Sequence, residues 1–513
     1  MKKITIFLAV LALLGLLCTA CGSSNEQDAA AEQILTTLGS ADALYQSGKY
    51  AQSLDQYLTV MEQDARNMDA RIGVVKCQIE LGNYELADLN LSMAEQADPG
   101  FLGVCEAYIQ MGQATGDPYY GQQAVTLAVK YNHMSILTDI PAAPTVDLPA
   151  GSYAQRTELS IACEDPEAQI YVHLSNSQNP LCNLYNMKYS RPILLLQGEN
   201  TLSVFSMKNG IPSQMEIYTY FVAYDPVEVT FQEPLMEELV RKTLGKADGP
   251  ITNYDCEQIT SLSWQTLRTI YTKEKDYQKQ KLHSLEDLQH LPVLQMLMLE
   301  YQTEIEDFSP LAKCTQLWDL TLQSCGLTDT EFTRYTPNVT SLSLYFNKIT
   351  DFSALENLEE LLHLYINNDD TGAKLDQVLQ NCGKIVTLTL DDTLLEDYSV
   401  LSQLPNLTSL TFYGYTKVDY AAIGELTQLE TLNLLFSSNR SDYGKSVGDI
   451  SFLPKLQNLK YTYWCGVNKV SDLEYFKQLP NLEQLVLSNS DATSNEAAME
   501  ALIQALPNCQ IIY

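Results

Sequence analysis

The chain has 513 residues, too many for one ordinary hydrophobic core and enough for about three domains. Its apolar share is 45%, so it can bury real cores. Sixty-four acids face 31 bases, a formal net charge of −33, and a surface this acidic repels phosphate backbones, which argues against nucleic acid as a partner. The N-terminus reads MKKITIFLAVLALLGLLCTACGSS. Lys2 and Lys3 precede an apolar run of 14 residues, Ile4 to Leu17. As a helix at ~1.5 Å per residue this run reaches about 21 Å, short of a ~30 Å hydrocarbon core. It reads as an export signal rather than a membrane span.

Thr19 and Ala20 precede Cys21, and Gly22-Ser23-Ser24 follows. This resembles the lipobox of bacterial lipoproteins; the branched residue usual three before the cut is Cys18 here, with Leu17 one step earlier. The resemblance implies that residues 1–20 are removed and that Cys21 is acylated, with a short linker over 21–30. Of twelve cysteines, ten remain besides Cys18 and Cys21, scattered over almost the whole chain. That spacing excludes a disulfide-dense mini-domain, and a bridge such as Cys163–Cys182 stays open.

Residues 46–65, QSGKYAQSLDQYLTVMEQDA, align with residues 80–99, ELGNYELADLNLSMAEQADP, at a shift of 34. Gly48 matches Gly82, Tyr50 matches Tyr84, Ser53 matches Ala87 and Tyr57 matches Leu91. Small and aromatic residues at helical spacing with Gly at the turn predict helical hairpins. The segment 31–135 resembles tetratricopeptide repeats, with a third, degenerate unit from Phe101 to Tyr131. From Pro141 the texture changes to β-branched and aromatic alternation with Pro, Gly and Asn turns. Pro149-Ala150-Gly151-Ser152-Tyr153, Ile170-Tyr171-Val172 and Tyr189-Ser190-Arg191-Pro192-Ile193 make 138–225 resemble the small β-sandwich of chitobiase C-terminal regions. A spacer role is the first expectation and carbohydrate binding the second. The turn Ser175–Pro180 departs from that family's pattern.

The strongest periodicity lies over 226–513. L-x-x-L-x-L recurs, and its middle leucines Leu297, Leu320, Leu342, Leu364, Leu388, Leu410 and Leu432 step by 23, 22, 22, 24, 22 and 22 residues. This is the leucine-rich repeat period. The next step, to Thr462, is 30, so an insertion of about eight residues lies near 437–446. A second phrase, DFSPLAKC, DFSALENL, DYSVLSQL, DYAAIGEL, DISFLPKL and DLEYFKQL, recurs between strands, with Asp opening a short helical turn. Period, phrase and the upstream segment VTFQEPLMEELVRKTLGKADGPITNYDCEQITSLSW together resemble the internalin type of leucine-rich repeat with its N-terminal cap. The expected fold class is therefore multidomain: helical hairpins, a small β-sandwich, then an α/β solenoid.

Candidate chemistry is sparse. Gly444-Lys445-Ser446-Val447-Gly448 has the G-x-S-x-G spacing of a nucleophile elbow, which needs a strand before the Ser and a helix after it; here it falls in the repeat insertion. Asn367–Gly372 hints at a calcium loop, but the twelfth position, where an EF-hand places Glu, is Val378. The five histidines are spread apart. Cys325 falls at the ladder position three after Leu322 and reads as structural. No catalytic residue, cofactor or metal is expected. What remains is surface. Residues between the inward leucines face the concave side, and there, or one residue beyond, the sequence places Tyr345, Phe346, Tyr365, Tyr413, Phe436, Tyr461 and Tyr463, residue types that dominate interface energy. The segment 265–281 is basic in an acidic chain and is expected as a solvated loop. The reading is a lipid-anchored protein on the outer face of a bacterial membrane that recognises a protein partner. Wall glycan or peptide binding through the sandwich or helical groove is the alternative.

Cys21→Ala should release the protein into the medium, because the apolar run cannot span; retention in the membrane fraction would contradict the lipid anchor.

Overall fold

The computed structural model describes residues 24–180, 183–368, 375–391, 395–414, 418–436 and 448–513. The signal run with Cys18 and Cys21, Cys182, residues 369–372 of the calcium-loop candidate, and the insertion with residues 444–447 lie outside the described residues. The chain divides into two compact units, one ending at Tyr224 and the other starting at Asp225. No helix among the described residues is long and apolar enough to cross a membrane.

The first unit opens with six helices, α1 Ser24–Gln46, α2 Tyr50–Gln63, α3 Met68–Glu80, α4 Tyr84–Ala97, α5 Leu102–Thr115 and α6 Pro118–Tyr131. Helix α1 starts inside the stretch expected as a linker. Ala29, Ala30 and Ala31 are the best helix formers available and nothing there breaks the pattern. Gly48, Gly82 and Gly116 turn one helix into the next with φ of 75°, 73° and 70°. The third lies 34 residues after the second, so the third hairpin keeps the period although its other residues have drifted. Only Gly takes this left-handed reversal without the ~1–2 kcal/mol that a Cβ costs. Five residues after each glycine comes a small buried residue, Ser53, Ala87 or Gly121.

Ten short strands follow. The larger sheet has the order β2 (Gly151–Tyr153), β10 (Glu216–Val222), β8 (Gly198–Lys208), β5 (Gln169–Asn176) and β6 (Leu184–Lys188), with β9 (Ile211–Pro212) also paired to β8. Two further ladders, β1 (Thr145–Val146) with β4 (Ile161–Ala162) and β3 (Thr157–Leu159) with β7 (Ile193–Leu195), complete it. Leu159, Ile193 and Leu195 share one core with Val172, Leu174, Leu202 and Val204. Buried Asn176 builds the departing turn: its side chain accepts from the amides of Gln178 and Asn179 and donates to Asn200 Oδ1 at 2.8 Å.

Helices and strands, expected as separate pieces, form one compact unit. The turn Asn209–Gly210 lies against α5 and α6 where they lack side chains: a Cβ on Gly121 would come within 2.5 Å of the Gly210 carbonyl oxygen. Gln113 Nε2 donates to Asn209 O at 2.9 Å, and Tyr171 Oη donates to Gly116 O at 2.8 Å.

The second unit begins with α7 Pro234–Leu244, which starts on Pro and stops at Gly245 in the left-handed conformation. An eleven-stranded parallel sheet follows: β11 Ser261–Ser263, β12 Met296–Glu300, β13 Asp319–Gln323, β14 Ser341–Asn347, β15 His363–Asn368, β16 Thr387–Asp391, β17 Ser409–Tyr413, β18 Thr431–Leu435, β19 Tyr461–Cys465, β20 Gln484–Ser488 and β21 Gln510–Ile512. Strand order equals chain order, so the unit is a leucine-rich repeat solenoid. The middle leucines pair directly, Leu297 with Leu320, Leu342 with Leu364, Leu388 with Leu410. The 30-residue step leaves the register intact, with Leu432 opposite Thr462. Thr462 replaces a leucine and is satisfied: its hydroxyl donates to Leu432 O and accepts from the Trp464 indole.

On the opposite side of each coil the Asp phrase forms short turns. Asp307, Asp351, Asp397 and Asp449 accept the amides of Ser309, Ser353, Ser399 and Ser451 at 2.8, 2.9, 2.8 and 3.0 Å. Hydrogen bonds from those serines hold all four carboxyls below the usual aspartate range. A depressed folded-state pKa contributes stability above the unfolded value of about 3.9 and loses it as pH falls below that. Replacing the four aspartates by Asn should therefore flatten the fall in Tm between neutral pH and about pH 3. An unchanged pH slope would contradict this.

Candidate functional site

The face of the sheet turned away from the leucine core, the concave face of a leucine-rich solenoid, carries the candidate site. Strand register sets its columns. In the third outward position come Glu300, Gln323, Tyr345, Asn367, Asp391, Tyr413, Leu435, Cys465 and Ser488. The rings of Tyr345 and Tyr365 stack at 4.0 Å with 28° between planes. Tyr365 Oη donates to Asp391 Oδ2 at 3.1 Å, and Tyr413 is the register partner of Asp391 on the next strand. Asp391 is 2% exposed while the three tyrosines are half-buried. Burial first, then the Asp391 charge, hold the Tyr365 and Tyr413 phenols above their ordinary range; for Tyr345 burial is followed by Tyr413 and then Asp391. The structure thus gathers three of the seven expected residues round a carboxylate that pattern reading missed. The signal was available, since Asp391 occupies the same column as Tyr345 and Tyr413.

Phe346 follows Tyr345 at the corner where the strand ends. Its φ is +52° and it is 48% exposed. The equivalent corners of other coils hold Gly414 and Gly466, also left-handed. Tyr301 shares the conformation, but its ring packs on Tyr277 at a centroid distance of 6.1 Å. A bulky residue in this region costs on the order of 1–2 kcal/mol, and Phe346 recovers little of that by burial.

The remaining expected residues divide. Tyr461 and Tyr463 are exposed, on the strand two along from Tyr413, and Tyr461 Oη donates to Glu483 Oε2 at 2.8 Å. Phe436 is half-buried, like Tyr345, Tyr365 and Tyr413, and packs against the hydrophobic core. His363 and Met296 are exposed on the outward face. Trp318, exposed at the residue just before β13, was not anticipated.

The basic segment 265–281 is not a free loop either. Glu300 is 1% exposed and accepts from Gln265 Nε2 at 2.7 Å, Tyr277 Oη at 2.6 Å and Arg268 Nη2 at 3.2 Å. The Arg268 guanidinium lies 4.0 Å from the Tyr277 ring centre, and Lys281 donates to Tyr301 O. The segment closes the first coils by satisfying a buried carboxylate.

Cys325 is structural, as its ladder position implies. Burial pushes its thiol up to about 12, and its amide donates to Asn347 Oδ1 at 3.0 Å. Cys314 and Cys325 are both free thiols. Among the described residues no three His, Cys, Asp or Glu side chains come together as metal ligands. In the first unit a groove of about 810 Å³ runs between helices, lined among others by Asp42, Tyr57, Lys76, Phe101 and Glu106.

No protein-family model matches the chain, and no curated protein matches it. Solved structures similar to it include an internalin from Listeria monocytogenes, at 22% identity over 55% of this chain and 88% of that one, with a TM-score of 0.37. Internalin C2 of the same organism is similar at 22% identity over 47% and 97%, with a TM-score of 0.34. A leucine-rich repeat protein of Leptospira interrogans is similar at 15% identity over 44% and 74%, with a TM-score of 0.29.

Glu300→Ala leaves the Tyr277 hydroxyl buried without its acceptor and should cost on the order of 3 kcal/mol in denaturant unfolding. Arg268→Ala, on the more exposed partner, should cost below about 1 kcal/mol. Equal losses would contradict the assignment of Glu300 as the buried centre of this cluster.

Proposed function

We propose that this protein recognises a protein partner outside the cell through the concave face of its solenoid, held at the membrane by lipid on Cys21. In this reading the helical hairpins and a chitobiase-type β-sandwich space the solenoid from the membrane. The observation that carries it is Phe346. An exposed aromatic kept in a left-handed corner, where sister coils use Gly, Ser or Asn, or a Tyr whose ring packs on its neighbour, lowers stability without serving the core. Such local strain at a surface position is the mark of a binding residue. Tyr345 and Tyr365 extend the same apolar surface, and aromatic residues on a rigid scaffold supply contact area at small entropic cost.

The test is capture by the full chain of proteins, and separately of purified wall polymer, from the surface of the producing bacterium and of cells it meets. Phe346→Gly should raise Tm by a few degrees, since it relieves about 1 kcal/mol of strain, and should weaken capture at least tenfold. Undiminished capture would remove the concave face from recognition. Retention of wall polymer alone, unaffected by this substitution, would move recognition to the glycan reading.

A further inference from the structure

The turn Tyr189-Ser190-Arg191-Pro192 joins β6 to β7 in the β-sandwich and carries a charge without a counter-charge. Among the described residues, ten lysines and arginines are half-buried. Nine of them have a partner. Lys76 meets Glu106 at 2.9 Å, Lys246 meets Asp255 at 2.8 Å and Lys460 meets Glu430 at 3.0 Å. Lys208, in the same sandwich, is ringed by Asp165, Glu167 and Asp139 at 3.1, 3.0 and 3.4 Å. The other five pair with glutamates or donate to backbone carbonyls. Arg191 is the tenth. Its guanidinium makes no hydrogen bond, ion pair or ring contact among the described residues, in a chain that holds 64 acids. Burial, with no neighbouring charge to offset it, holds the group below its ordinary range.

The turn is held at both ends. The Tyr189 amide donates to Ile170 O at 2.8 Å, the Tyr189 hydroxyl accepts from the Ile161 amide at 3.0 Å, and Ile193 pairs with Leu159 in the core. Pro192 confines the residue before it to extended backbone. Arg191 is therefore presented on a fixed frame, partly in water and partly out of it. A guanidinium that gives up water without gaining a partner lowers stability, so packing alone does not account for it. We infer that Arg191 is an anion-binding residue, which takes the oxygens of a ligand carboxylate or phosphate in its fork of N–H donors. Both groups match the planar fork in pairs of parallel hydrogen bonds, and a spherical anion does not. Lys188, exposed three residues earlier and without an ion pair among the described residues, adds positive charge to the same turn. The net charge of −33 opposes anions at long range, but at physiological salt exposed charges are screened beyond ~8 Å, and the local guanidinium decides. The sandwich is then more than a spacer: it offers a point of contact for an acidic group, independent of the concave face.

The probes are sodium phosphate and sodium acetate, each titrated into the full chain against sodium chloride of equal ionic strength. The chain carries ¹⁵N-labelled arginine side chains, and the Arg191 Nε signal is identified by its loss in Arg191→Gln. Phosphate or acetate should move that signal saturably, and chloride should not. The tighter of the two names the group that the natural ligand presents. Arg191→Gln should lose the gain in Tm that the oxyanion gives over chloride. In chloride it should unfold no earlier than the wild type, because an uncompensated charge has been removed. Arg191→Lys keeps the charge without the fork and should bind at least fivefold more weakly. An Arg191 signal that follows chloride and oxyanions alike, or an oxyanion gain in Tm retained by Arg191→Gln, would overturn the site. So would Arg191→Gln unfolding well below the wild type in chloride, which would mark the guanidinium as structural.

Discussion

The second unit depends on one constraint: its inward leucines must stack in register from coil to coil. Leu297, Leu320, Leu342, Leu364, Leu388, Leu410 and Leu432 are each almost wholly buried. Burying one such side chain is worth roughly 1.5–3 kcal/mol, yet no single coil can bury its own apolar face. The parallel ladder therefore extends strand by strand, and each partner pairs leucine with leucine. A slip of one residue would turn the core face outward. The same register determines what lies on the other face. Residues far apart in sequence, Tyr345, Tyr365, Asp391 and Tyr413, meet only because their coils are held in step.

Polar groups close the corners that the leucines cannot. At three strand ends, a side chain of one coil satisfies a backbone amide of its neighbour. Asn347 accepts from the Cys325 amide, Ser490 from the Val467 amide at 2.9 Å, and Gln302 from the Leu282 amide at 2.7 Å. A buried amide left without an acceptor costs about 1–3 kcal/mol, so these positions tolerate few residue types. The residue just before them takes positive φ, and the solenoid accepts that strain at Ser324, Phe346 and Asn489 as well as at glycines. In the first unit, absent side chains have the comparable role. Gly112 and Gly121 admit the Gly210 turn, and this joins helices and strands into one body.

Much of this was legible in the sequence because it is periodic. The 34-residue shift placed the helical hairpins, and the 22-residue step placed the strands from β12 to β20. The reading failed where a tertiary partner decides. Residues 265–281 looked like a solvated basic loop because nothing local shows that Arg268, Gln265 and Tyr277 converge on Glu300. The linker was expected from position rather than composition, and its alanines belong to α1. At the candidate site the aromatic columns were visible, whereas the stack of Tyr345 on Tyr365 and the burial of Asp391 required side chains in place.

The central claim is that partner recognition uses the aromatic concave face. Hydroxyl-radical footprinting of the full chain, with and without bound partner, tests it residue by residue. The account predicts that Phe346, Tyr365 and Tyr413 lose reactivity in the complex, while Tyr84 and Tyr119 on the helical hairpins do not. Protection confined to the helical hairpins, with Phe346 as reactive as in the free chain, would contradict it.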